Sequence, residues 1–212
     1  MAQPIEARGD KMLKPAPADH PIHELIRHRW SPRAFSTRPI PAEILRSLFE
    51  AARWAPSCSN EQPWAFLIAT LDDSESHAKL LSTLDPSNQA WAQHAPVLGM
   101  AISELNFARN GRANRNASYD TGAALANLTV EATSHGLFVH QMAGFDPQKA
   151  RELFQIPHGW EPIAAFVIGH PGDPEALPQN LRERELGARS RKPISEFVMS
   201  GTWGHSAPFL TS

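Results

Sequence analysis

The amino-acid sequence predicts a fold of mixed α and β structure in one domain. Segments with the spacing of amphipathic helices alternate along the chain with short apolar runs that are typical of buried strands. The chain has 212 residues, of which 42% are hydrophobic and 20% are charged, and this is enough for one sizeable core. No internal repeat and no break in composition requires a second domain.

The predicted helices have an apolar face or a recognisable start. The segment over 41–55 begins with Pro41, which suits a first helical position, and carries a stripe of leucine, isoleucine and phenylalanine. The segment over 117–136 is apolar nearly all round, so we expect it to be buried. Asp146 is a predicted N-cap, followed by Pro147. Helices are predicted over residues 23–30, 41–55, 74–84, 117–136 and 146–156.

The strands are predicted from apolar runs bounded by charged residues, glycine or proline. They cover residues 64–70, 95–103, 137–145 and 162–171. The polar stretch over 106–116 is predicted to be a loop. Residues 1–20 are predicted to form a flexible arm, and residues 21–212 a single domain whose extended tail, from 172 onwards, has no clear periodicity.

Charge and composition exclude several classes of function. A formal net charge of −2 lacks the excess of positive charge that is typical of proteins that bind nucleic acid or an anionic membrane. The one cysteine excludes an internal disulfide framework and fits a reducing compartment, so a cytoplasmic protein is predicted. No apolar run approaches the roughly 20 residues of a membrane span, and the first residues lack the apolar core of a signal peptide.

Several common catalytic motifs are missing from the sequence. There is no G-x-G-x-x-G fingerprint, no G-x-x-x-x-G-K-[ST] loop, no H-E-x-x-H pair and no G-x-S-x-G elbow. The ten histidines are scattered and do not show the clustered spacing of metal ligands. We therefore predict no metal site and no nucleophile of these classes.

Two basic segments and one polar cluster stand out. Arg189 and Arg191 alternate, so in an extended tail both would point the same way and could clamp a phosphate; a solvated charged tail is the alternative. Arg29, Ser31 and Arg33 form a similar group near the start of the chain. The cluster at 57–62 offers hydroxyls, a thiol and amides that suit the edge of a heterocycle, but it would also suit a simple turn.

These segments together resemble one family. The stretch "RHRWSPRAFSTRPIPAEILRSLFEAARWAPSCSNEQPWAFLIAT", residues 27–70, closely resembles the FMN-dependent nitroreductase family. Weaker similarity continues through "NQAWAQHAPVL", "YDTGAALANLTVEATSHGL", "QMAGFD" and "ARSRKP", and it covers most of residues 22–198. The resemblance implies an α+β sandwich with a central mixed β-sheet flanked by helices, assembled as an intertwined homodimer with FMN at the subunit interface.

The resemblance also implies a set of cofactor-binding residues. Arg29, Arg189 and Arg191 would meet the phosphate, while Arg33 would lie near flavin N1 and O2, where a cation stabilises the reduced form. The segment from Pro56 to Asn60 would reach the flavin of the partner subunit. The full set is Arg29, Trp30, Ser31, Arg33, Pro56, Ser57, Cys58, Asn60, Asn88, Gln89, Met142, Ala143, Gly144, Arg189 and Arg191.

Three positions depart from the family pattern. Trp30 stands where arginine or histidine is common, Cys58 stands where serine is usual, and Ala143 replaces a glutamate or glycine. The contact of Ala143 would be made through the backbone, so alanine should serve there. The departures leave the subgroup, and therefore the acceptor, open.

The activity implied by the resemblance is that of an FMN-dependent NAD(P)H oxidoreductase. FMN would accept hydride from NADH or NADPH and pass it to a nitroaromatic, a quinone or a related small acceptor in ping-pong order, with no catalytic side chain. One alternative is a flavin-binding carrier or regulatory dimer without turnover. Another is a hydrolase or transferase that uses Ser57 or Cys58 and would need a nearby histidine base.

Overall fold

The computed structural model describes residues 14–210, and these contain one four-stranded sheet. Its strands follow the spatial order β1-β2-β4-β3, and every neighbouring pair is antiparallel. The strands are β1 Trp64–Thr70, β2 Val97–Glu104, β3 Phe138–Met142 and β4 Trp160–Gly169. All four predicted strands are therefore confirmed, with shorter limits for the third.

The prediction of a mixed sheet is wrong for the described residues. The crossover between β2 and β3 returns the chain so that these two strands run in the same direction. However, β4 inserts between them and pairs antiparallel with each. The two strands that run the same way are therefore never neighbours, and no parallel ladder forms in this part of the chain.

The helices cover both faces of the sheet. They are α1 Glu24–His28, α2 Ala42–Arg53, α3 Ser74–Leu81, α4 Pro86–Ala92, α5 Ala117–Ser134, α6 Pro147–Phe154 and α7 Gln179–Leu186. The five predicted helices are confirmed. The two missed helices, α4 and α7, are short, and α7 is so polar that it buries only Leu181 and Glu185. Neither shows the long apolar stripe by which a helix is recognised.

The central helix α5 has the burial expected from its composition. Leu125 and Leu128 are fully buried, and they join Leu48 of α2 in one core cluster under the sheet. At α6, Asp146 caps the helix as predicted, since its carboxylate accepts the backbone N–H groups of Gln148 and Lys149, both at 2.9 Å. The Asp146 cap holds the start of α6, which follows the candidate site residues at the end of β3.

The ends of the chain carry the remaining predictions. The predicted flexible arm over 1–20 falls mostly on residues outside the described range. Within the described tail, short 3₁₀ turns follow α7. No helix in residues 14–210 is long and apolar enough to cross a membrane.

Candidate functional site

Three guanidinium groups come together at one edge of the protein, and we call Arg29, Arg189 and Arg191 the arginine cluster. Burial first, and then the positive charges of Arg189 and Arg191, lower the pKa of Arg29. The pKa of Arg189 is lowered by burial and by Arg191. Within residues 14–210, no arginine of the cluster forms an ion pair with a carboxylate. Concentrated and unneutralised positive charge of this kind suits an anionic ligand.

The two tail arginines of the cluster have different partners. Arg189 donates to three backbone carbonyl oxygens, those of Lys14 at 2.5 Å, Arg27 at 3.1 Å and Arg29 at 2.9 Å. Arg191 is exposed, and among residues 14–210 it donates only to the carbonyl oxygen of its neighbour Ser190, at 2.7 Å. Arg189 therefore ties the tail to the loop after α1, whereas the guanidinium of Arg191 keeps donors for a ligand.

Ser31 and Arg33 extend the site from this loop into the protein. The Ser31 hydroxyl accepts a 3.4 Å hydrogen bond from Nη1 of Arg29. The backbone N–H of Arg33 donates to Oε2 of Glu185 at 2.9 Å, and the N–H of Ala34 donates to Oε1 at 3.2 Å. Burial and the charge of Arg184 lower the pKa of Arg33, and the Glu185 carboxylate partly opposes this shift. Arg33 thus carries its charge in a partly desolvated position.

Trp30 occupies a different environment from its neighbours in sequence. Its side chain is only 6% exposed and packs edge-on against Phe138 of β3, with ring centroids 6.0 Å apart. The Lys14 ammonium lies 4.8 Å from the centre of the indole ring. The buried indole N–H has no hydrogen-bond partner within the described part of the chain. The side chain of Trp30 is thus a core residue beneath the site.

The polar cluster at 57–62 forms a tight turn. Ser59, Asn60 and Gln62 all have positive φ, between 54° and 56°, which is uncommon for residues with side chains. Ser57 Oγ accepts the N–H of Gln62 at 3.0 Å. The backbone N–H of Cys58 donates to Oδ2 of Asp120, whose side chain is buried in the first turn of α5. The turn alternative is thus partly realised, because the Ser57 hydroxyl is used locally.

The turn also presents atoms outwards. Pro56 and Asn60 are exposed, and Ser57 and Cys58 are half-buried. The turn is anchored to the start of α5 and not to the arginine cluster. One chain therefore presents two separate groups of predicted site residues.

The third group lies where β3 meets α4. Asn88 donates through Nδ2 to the carbonyl oxygen of Gly144 at 3.0 Å, and Gln89 donates through Nε2 to that of Leu84 at 2.6 Å. A Cβ at Gly144 would lie 2.6 Å from Asn88 Nδ2, so a side chain at this position would push Asn88 away. Met142 is buried, and Ala143 is exposed next to it. The structure therefore joins these five residues, but the two amides already bond to the backbone.

Four residues outside the predicted set shape the site. Glu185 contacts the loop after α1 through its carboxylate, and Lys14 contacts it through the Trp30 ring. His140 holds the same loop from β3, and Asp120 holds the turn at 57–60. Asp120 could have been found from the sequence, because a charged residue within an apolar helix indicates a specific partner. Glu185 gave no such signal, because it sits in the highly charged segment "RERELG".

No candidate metal site is found among the described residues. Residues 14–210 contain no group of three or more histidine, cysteine, aspartate or glutamate side chains that could hold a metal ion. The single thiol, Cys58, is half-buried and not in a disulfide.

The fold and the site define an α+β protein in which a loop and the tail bring together a cluster of arginines, whose positive charge suits an anionic ligand. The chain belongs to the Nitroreductase family, whose sequence model matches residues 26–170. The predicted family and the α+β class are thereby confirmed.

Individual relatives agree with this assignment. A solved oxidoreductase containing FMN superposes with a TM-score of 0.84 at 35% identity, covering 89% of this chain and 96% of the other. The chain is 28% identical to a putative NADH dehydrogenase/NAD(P)H nitroreductase of Stenotrophomonas maltophilia, over 74% of this chain and 87% of the relative. It is 29% identical to an FMN reductase [NAD(P)H] of Bacillus subtilis, over 78% of this chain and 71% of the relative.

Proposed function

We propose that this protein is an FMN-dependent oxidoreductase that transfers hydride from NADH or NADPH to a small acceptor, such as a nitroaromatic or a quinone, in ping-pong order. The observation that carries the proposal is the arginine cluster beside the Arg33 loop, on a fold whose relatives include an oxidoreductase containing FMN and an FMN reductase. We also propose a cytoplasmic location, supported by the single thiol in the sequence.

The residues of the cluster fit the phosphate end of FMN. A phosphate monoester carries nearly two negative charges and several acceptor oxygens, which guanidinium groups match well. Arg29 and Arg191 would bind it directly, with Ser31 as an additional hydroxyl donor. Arg189 would contribute its charge while its N–H groups hold the loop in place.

The residues beside the cluster fit the ring system. Arg33 would bring a cation to the N1 and O2 edge of the flavin, where negative charge gathers on reduction. Met142, Ala143 and Gly144, at the end of β3, would lie beside the ring, with Asn88 and Gln89 supporting that segment. Trp30 would act from below, through packing. When bound, FMN supplies the hydride chemistry, and the chain binds it, orients it and tunes its charge.

We propose that a second copy of the chain completes the site. Pro56, Ser57, Cys58 and Asn60 sit on a turn anchored to α5 and would contact the FMN of the partner subunit. The surface supports this arrangement, because large aromatic side chains flank the turn and the start of α5. Trp54 is 73% exposed, and Tyr119 is 79% exposed. Burying such side chains against a second copy would be favourable.

The experiment that tests the function uses FMN-loaded protein under anaerobic conditions. NADH or NADPH is added and the flavin absorbance is followed, and a quinone or nitroaromatic is then added. We expect at least one nicotinamide to bleach the bound flavin and the acceptor to restore its colour. Bound FMN that neither nicotinamide reduces would contradict the proposal and favour a carrier or regulatory protein.

A further inference from the structure

The loop that carries Arg33 is held by side chains from two different elements. On one side, the Glu185 carboxylate on α7 accepts the backbone N–H groups of Arg33 and Ala34, at 2.9 and 3.2 Å. On the other side, a ring nitrogen of His140 lies 2.7 Å from the carbonyl oxygen of Pro32. Side chains therefore bind the Pro32 carbonyl and the N–H groups of Arg33 and Ala34, while the Ala34 carbonyl accepts the backbone N–H of Gly172 at 2.8 Å.

Glu185 is an unusual residue to find in this position. It is 1% exposed, although it lies on a helix that is otherwise polar and mostly solvated. Burying a carboxylate is costly unless its oxygens are satisfied by donors. Both oxygens of Glu185 are satisfied by the Arg33 loop, and the Lys14 ammonium, which attracts the carboxylate, donates to the backbone oxygen of Glu185. The Arg33 loop therefore supplies the hydrogen bonds that stabilise the buried carboxylate, and Lys14 supplies a positive charge.

We propose that Glu185 is a positioning residue for the flavin: its carboxylate fixes the backbone at Arg33 and so holds that guanidinium where it favours the reduced form. The inference rests on the proposed FMN function. Glu185 acts through Arg33 and does not itself contact the cofactor. A substitution at Glu185 therefore changes the flavin only while Arg33 is present.

A positioning role and a simple charge effect of Glu185 change the preference for reduced over oxidised flavin in opposite directions. If Glu185 acted only as a nearby negative charge, removing that charge would favour the reduced flavin. If Glu185 positions Arg33, loss of its hydrogen bonds to the loop displaces the guanidinium and favours the oxidised flavin. The ratio of the affinities for reduced and oxidised FMN separates the two roles, and the midpoint potential of the bound flavin reports that ratio.

The test compares wild-type protein, Glu185→Gln, Arg33→Gln and the double variant, all loaded with FMN. Glutamine keeps the shape of the side chain but places an amide against one of the two N–H donors. We expect Glu185→Gln to lower the affinity ratio about tenfold, as expected for weakening one charge-assisted interaction. This equals about 30 mV for a two-electron couple. In the Arg33→Gln background, the same change should shift the ratio less than about threefold.

Two further variants of α7 complete the test. Glu183→Gln removes an exposed carboxylate from the same helix and should leave the potential unchanged. If Glu185→Gln does not fold, Glu185→Asp takes its place, because the shorter carboxylate cannot reach both N–H groups; it should lower the ratio in the same direction. An unchanged or raised ratio, or a shift that persists without Arg33, would overturn the inference. Wild-type protein that fails to bind FMN would overturn the proposed function, and the inference with it.

Discussion

Nη2 of Arg189 donates a 2.9 Å hydrogen bond to the backbone carbonyl oxygen of Arg29, which joins the C-terminal tail to the first basic loop. The same guanidinium also reaches the carbonyl oxygens of Lys14 and Arg27. Arg191, two positions later, makes one bond to its neighbour Ser190. Two arginines that look equivalent in sequence therefore differ in their contacts: Arg189 holds the loop, and we propose that Arg191 binds the ligand.

This difference predicts separable effects of alanine substitutions. Arg191→Ala should weaken FMN binding by about 1.5–3 kcal/mol, the usual value of a charge-assisted hydrogen bond, with little change in the melting temperature. Arg189→Ala should weaken FMN binding and also lower the free energy of unfolding, since its bonds to the backbone are lost. Fluorescence titration and thermal unfolding measure the two effects, and Lys192→Ala serves as the control for a neighbouring charge. Removing both arginines without changing FMN affinity would refute the phosphate assignment.

The contact between Asp120 and the Cys58 backbone predicts an effect on the second group of site residues. Asp120→Ala removes the acceptor of the Cys58 N–H, and the turn should lose its fixed position. We expect FMN affinity to fall about tenfold or more. Asp120→Asn should lose less, because its side-chain oxygen can still accept that bond. Equal FMN affinities in wild type and Asp120→Ala would show that the turn does not bind the flavin.

The buried imidazole of His140 predicts a dependence of stability on pH. Burial lowers the pKa of His140 to about 4; the hydrogen bond to Pro32 opposes this shift, while the charges of Arg33 and Arg184 add to it. The unfolded chain takes up a proton near pH 6.5, while the folded protein does not until about pH 4. The contribution of His140 to stability is therefore complete above pH 6.5 and is lost as the pH falls towards 4.

The variant His140→Asn isolates this effect, because asparagine can donate to Pro32 without titrating. Between pH 6.5 and 4, the free energy of unfolding of the wild type should fall more steeply than that of the variant, by up to about 1.4 kcal/mol per pH unit. Chemical denaturation at several pH values measures the difference. His77, also buried with a lowered pKa, contributes equally to both proteins. Parallel pH profiles would be evidence against the buried neutral state.

The proposed assembly predicts that FMN-loaded protein sediments as a dimer. If Asn60 contacts the flavin of the partner subunit, the holo form needs two chains. Analytical ultracentrifugation at several concentrations would measure the mass. Asn60→Gly should weaken FMN binding and leave the apo protein folded, because Asn60 is exposed and glycine readily adopts its positive φ. A holo monomer with full affinity would contradict the cross-subunit role.

The sequence predicted the strands and long helices well, because their signals are local. The apolar run at 64–70 became β1 with the same limits, and Asp146 caps α6 through the backbone as expected. The direction of strand pairing was not predictable in this way. It depends on β4 entering between β2 and β3, which is a property of the whole chain.

The candidate site was only partly readable from the sequence. Residue types that bind phosphate can be recognised along a chain, and Arg29 and Arg191 do lie together. What the spacing could not show is which side chains face inward: Trp30 enters the core, and Glu185 is buried under a distant loop. Such roles arise from contacts between residues far apart in sequence, on which local patterns have no bearing.

The most direct test of the central claim is the visible absorption spectrum of the purified protein, together with identification of any pigment released by acid. We predict bands at about 370 and about 450 nm and FMN as the released compound, or uptake of FMN by colourless protein. A colourless protein that takes up no added FMN would contradict this prediction.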